Sequence, residues 1–175
     1  MVGRRNRESG KGFSSFISIV LLAFVTVVAT QLYPRIQRNK QYTQALNTVR
    51  ADFSSQKWDA AIKGYNKLWE EYPDKDKADQ YNVAAAHENW ATELYEGSLR
   101  TRTNWNQAAT QFELAAVHRP LSEQSLMALG DCYVETGQLD KVKGLLIEAE
   151  RRGDVDLKKF GVLRKRLEKA TGAPK

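Results

Sequence analysis

Residues 126–149 read LMALGDCYVETGQLDKVKGLLIEA. Leu126, Leu129, Gly130 and Tyr133 recur at spacings that place them on one face of a helix, and Gly137 follows as a stop signal. Leu139, Val142, Leu146 and Ala149 mark a second helix of the same kind. A small residue at Gly130 lets two antiparallel helices approach closely, and a large aromatic one turn away fills the gap between them. The stretch therefore predicts a helix pair.

The same pattern occurs upstream. Trp105, Ala108, Phe112 and Ala115 precede this second helix by 34 residues, and Trp58, Ala61, Tyr65 and Leu68 precede those by 47, with Pro73 and Pro120 as matching helix stops. Three copies in tandem, each unable to bury its apolar face alone, predict a stack in which neighbours supply the core. In these residues the chain resembles the tetratricopeptide (TPR) family, whose 34-residue unit carries W-x2-L-G-x2-Y, then A-x3-F, then P. The third copy matches best. The first has Val49-Arg50-x2-Phe53 and the second Val83-Ala84-x2-His87 in the leading helix. The excess of 13 residues between the first two copies falls on Tyr95 to Asn104, an insert whose Arg100 and Arg102 are candidates for a secondary contact. Leu157, Phe160, Leu163 and Leu167 predict a helix from Leu157 to Ala170 that caps the stack.

At the other end, Phe13 to Tyr33 runs 21 residues without a charge, long enough as a helix to span the roughly 30 Å hydrocarbon core of a bilayer. Basic residues flank both ends, and Tyr33 sits where an interfacial aromatic belongs. A cleaved signal peptide is the competing reading, with Val27-Val28-Ala29 as its cleavage site, but the apolar run exceeds a usual signal core. Arg4-Arg5 lacks the apolar residues that a twin-arginine signal needs next. Pro34 fits the start of a new helical segment, so few residues separate bilayer and body, and the body is expected against the membrane surface. The expected fold is all-α: a basic tail over 1–12, a transmembrane helix over 13–33, a TPR-like solenoid of three helix pairs over 34–153, and a basic capping helix and tail over 154–175.

Charge follows this division. The formal net charge of +6 has its excess at the two ends: residues 1–40 sum to +6, 41–150 to −6 and 151–175 to +6. An acidic body repels phosphates, and no basic stripe is interleaved with stacking aromatics, so nucleic acid is not an expected partner. Cys132, the lone cysteine, reads as a small apolar residue inside a helix. His87 and His118 have no Cys, Asp or Glu at metal-ligand spacing, and phosphate loops, nucleophile elbows and zinc motifs are all missing. No catalytic residue, metal, cofactor or small-molecule substrate is expected. Lys158, Lys159, Arg164, Lys165 and Arg166 read as a solvated face, with anionic lipid or an acidic partner as the functional alternative.

A protein-interaction module follows, acting as an accessory, assembly or scaffold subunit of a larger membrane complex, whether secretory, respiratory or photosynthetic. In layout it resembles the N-anchored TPR subunits beside the bacterial protein-secretion channel. With the basic N-terminus in the cytoplasm, the repeat domain is expected in the periplasm of a bacterial inner membrane. The alternative is a targeting-signal receptor with a cytosolic repeat domain, as in mitochondrial import receptors. The resemblance implies a groove lined by the first helix of each copy: Gln44, Asn47, Ala51 and Ser54; Tyr81, Ala85, Glu88 and Asn89; and Met127, Asp131, Val134 and Glu135. Of these Tyr81, Glu88, Asn89, Met127, Asp131 and Glu135 are the candidate contacts. No Lys or Arg is among them, so the basic clamp with which TPR proteins hold a carboxylate tail is missing. A neutral or basic peptide or helix segment is the expected ligand.

Overall fold

The computed structural model describes residues 19–75, 79–97 and 100–172. The basic tail 1–12, Phe13 to Ser18 of the expected span, Asp76 and the insert positions Ser98 and Leu99 lie outside the described residues. The chain divides into two compact units, Met1–Ala45 and Leu46–Lys175.

Helix α1, Ile19–Ser54, is long and apolar enough near its N-terminus to cross a membrane, and none of that apolar stretch is buried inside the protein. Two hydroxyls of that stretch are satisfied locally, Thr26 Oγ1 donating to the Leu22 carbonyl at 2.8 Å and Thr30 Oγ1 to that of Thr26 at 2.6 Å. Pro34 does not begin a new segment as the sequence suggested. It lies inside the continuous helix, directly after a π-helical turn over Val28–Leu32 in which the Tyr33 amide donates to the Val28 carbonyl. A proline has no N–H and crowds the carbonyl four residues back; a widened turn just before it takes up both defects without ending the helix.

In the second unit helices follow one another as α2 (Trp58–Glu71), α3 (Gln80–Glu96), α4 (Arg102–His118), α5 (Glu123–Thr136), α6 (Leu139–Arg151) and α7 (Gly161–Thr171), and the described residues contain no strand. From α2 to α7 each helix packs on the next, and α3 also touches α5, as α5 touches α7. The core is the one expected from the repeat: Ala61, Tyr65, Ala108, Phe112, Ala115, Val142 and Ala149 are completely buried. Glycine permits the tightest approaches. A methyl group on Gly130 would collide with Leu163 of α7, and one on Gly64 would come within 2.6 Å of Val49.

Two ends of α5 show how sequence sets a boundary. Ser122 accepts the amide of Ser125 at 3.1 Å, an N-cap. At the far end Gly137 takes φ 78°, and the amides of Gln138 and Gly137 return to the carbonyls of Tyr133 and Val134, the pair of bonds that closes a helix through a left-handed glycine. The capping helix begins at Gly161 rather than Leu157. Glu123 accepts the Asp156 amide at 2.6 Å, Arg152 pairs with Asp154, and these contacts hold the preceding residues in turns.

Candidate functional site

Between α3 and α5 lies a groove of about 510 Å³. Glu88, Asn89, Thr92, Tyr95 and Glu96 face it from α3, Gln124, Met127, Ala128 and Asp131 from α5, while Phe112 of α4 contributes apolar lining and Glu123 and Lys159 also border it. Four of the six candidate contacts, Glu88, Asn89, Met127 and Asp131, are brought together here. Tyr81 is 64% exposed and Glu135 lies one turn past Asp131; neither lines the groove. Asn47, Ala51 and Ser54 are exposed on α1 and Gln44 is exposed in the first unit, while Ala85 and Val134 are half-buried; none of these contributes.

Three of the four acids that line the groove are engaged within the protein. Glu88, 8% exposed, receives the Arg119 guanidinium on one carboxylate oxygen and the Ser125 hydroxyl on the other. Asp131 receives Arg166 on one oxygen and the Tyr95 hydroxyl, at 3.0 Å, on the other. Arg166 reaches Glu135 as well. Glu123 takes the Lys159 ammonium and the Asp156 amide. Each carboxylate thus ties its helix to another element, and removing Glu88 or Asp131 would strand a half-buried guanidinium. Burial, with the neighbouring Asp131 charge adding to it, pushes the Tyr95 phenol up to about 12, so Tyr95 remains a hydrogen-bond donor at neutral pH.

Three polar side chains of the groove remain without a partner among the described residues: the amides of Asn89 and Gln124, and the carboxylate of Glu96, all exposed. Sequence reasoning missed Tyr95, Glu96 and Gln124. Their signal was present: 88, 92, 95 and 96 form one helical stripe, and 124, 127, 128 and 131 another. The partners of Glu88 and Asp131 had no such signal, because Arg119 and Arg166 stand 31 and 35 residues away.

Elsewhere, Arg102 of the insert donates to the Thr136 carbonyl at 3.1 Å, finishing α5, and Arg100 is exposed. Glu113 is held below the ordinary carboxylate range: burial raises it, but hydrogen bonds from Lys141 at 2.6 Å and Tyr133 at 2.8 Å outweigh that. Cys132 is fully buried, and desolvation lifts its thiol to about 12, which leaves it unreactive at neutral pH. Among the described residues no three His, Cys, Asp or Glu side chains are grouped as metal ligands. No family model matches the chain, nor does any curated protein, and no solved structure matches it.

Proposed function

We propose that the chain is a membrane-anchored protein-interaction module, a short TPR-like solenoid of three helix pairs closed by a capping helix, serving as an accessory or assembly subunit of a larger membrane complex. The observation that carries this reading is the groove between α3 and α5, three of whose four acids are engaged within the fold while Asn89, Gln124 and Glu96 have no partner among the described residues. Helices packed neighbour on neighbour, with α3 on α5 and α5 on α7, are the arrangement that stacked repeats produce. The α1 anchor would raise the effective concentration of the groove near integral partners. No catalytic role is part of this reading. The N-terminus is placed in the cytoplasm and the body in the periplasm of a bacterial inner membrane, on the charge distribution alone.

The decisive experiment is purification of the full chain in mild detergent with whatever accompanies it. Gln124 is exposed and holds no bond among the described residues, so Gln124→Trp fills the groove without disturbing the fold. Partners should be lost while helical content and unfolding temperature stay constant. Partners retained at full strength would remove the groove from the reading. Maleimide labelling of a single cysteine introduced at exposed Asn89, in a Cys132→Ala background, reports the side of the membrane.

A further inference from the structure

The groove's dimensions and its unused polar groups narrow the ligand, given the proposed function above. A helix about 11 Å across with a 5.4 Å pitch occupies roughly 500 Å³ per turn of about 3.6 residues. The groove is open along one side, and its volume of about 510 Å³ receives some four residues of a chain that passes across it. Asn89 and Gln124 each offer a donor and an acceptor in the arrangement of a peptide group, so they suit main-chain amides. Phe112, Met127 and Ala128 supply apolar contact beside them.

Charge is the remaining determinant. Four acids line the groove, Glu88, Glu96, Glu123 and Asp131. Arg119, Lys159 and Arg166 answer three of them, both oxygens of each being occupied. The fourth, Glu96 on the last turn of α3, has no cation paired to it among the described residues. Glu88 and Asp131, which the sequence offered as the reading charges, hold helices together instead.

We infer that the groove binds a segment of about four residues from a partner protein, and that Glu96 selects a Lys or Arg within it. The test is an array of hexapeptides on an alanine-leucine background, each carrying Lys, Arg, Gln or Glu at one position, probed with the labelled full chain in detergent at physiological salt. Lys and Arg at one position should be retained about two- to fivefold better than Gln, the range of an exposed ion pair. Glu96→Gln should erase that preference while leaving retention of the Gln peptides unchanged; Glu96 is exposed and has no partner among the described residues, so the variant keeps its fold. A preference for Glu, no charge preference at all, or a Lys preference that survives Glu96→Gln would overturn the inference and leave the groove reading standing. Failure to retain any peptide would take the proposed function down with it.

Discussion

The two ends of the helical body are held by different means. Toward the C-terminus one buried cluster runs without interruption from Ala91 through Phe112, Leu126, Leu129 and Leu146 to Leu163 and Leu167. Toward the N-terminus, Trp58, Ile62 and Ala86 form a small cluster of their own with Phe53 and Trp90 against it. Directed polar contacts supplement it: the Trp58 indole donates to Glu93 at 2.7 Å, Arg50 to Asp79, and Asn82 to the Tyr65 hydroxyl. A continuous apolar cluster couples every helix that enters it, whereas a small separate cluster supplemented by part-buried polar bonds opens more readily. Helix pairs with similar sequence patterns therefore do not imply equal firmness.

The largest test of this contrast is removal of its two anchors. Phe112 is completely buried, and Phe112→Ala should lower global stability by about 3 to 5 kcal/mol, seen as a drop in denaturant midpoint for every helix of the body. Trp58→Ala should instead speed hydrogen exchange in α2 and leave amides of α4 to α6 protected. Equal loss of protection everywhere would merge the two regions into one cooperative unit. A smaller effect is expected from the two tight glycines. Gly130→Ala overpacks Leu163, which is 2% exposed, and should cost about 1 to 3 kcal/mol. Gly64→Ala presses on Val49, 6% exposed, at 2.6 Å, a less severe approach than that at Gly130, while alanine favours both helices alike by about 1 kcal/mol. Urea unfolding of the pair should rank Gly130→Ala clearly below Gly64→Ala.

The smallest effect is one of pH. His87 stacks on His118, with ring centroids 6.3 Å apart, and its Nδ1 lies 2.7 Å from Gln111 Oε1. Trp69 of α2 adjoins His118. Burial, with a contribution from the His118 charge, lowers the His87 pKa below the ordinary 6.5. The unfolded chain then binds more protons, so the stabilisation is complete above 6.5 and is lost as pH falls below it. Acidification from pH 7.5 to 5.5 should loosen the α2–α3–α4 junction first, and His87→Asn should flatten that dependence. An unchanged slope in the variant would assign the acid loss to carboxylates.

Much of this architecture was legible. Trp58, Ala61, Tyr65 and Leu68, and their counterparts Ala108, Phe112, Ala115, Val142, Leu146 and Ala149, are buried as their spacing required, because helix periodicity is a local property of the chain. Pro34 misled, since a proline marks a boundary only when no widened turn precedes it. The start of the capping helix was misplaced because Glu123 and Arg152, distant in sequence or outside the apolar pattern, decide the turn before it. In the groove the residues that share a helix face were readable. Their charge balance was not: Arg119 and Arg166 meet Glu88 and Asp131 only in three dimensions, so a list of acids overstated the field a ligand would meet.

The large cluster also governs how the chain is made. Its members extend from Ala91 to Leu167, so it cannot close while α7 is still unsynthesised, although the segment able to enter a bilayer has long since emerged. Until then Phe112, Leu126 and Leu129 lack their full cover, and a nascent intermediate with such surface is prone to aggregate. The interactions are otherwise mostly between neighbours, a topology that folds quickly once complete. The vulnerable period is therefore set by translation rather than by the folding barrier, and a mutation that slows elongation between α5 and α7 would harm yield without altering the stability of the finished protein.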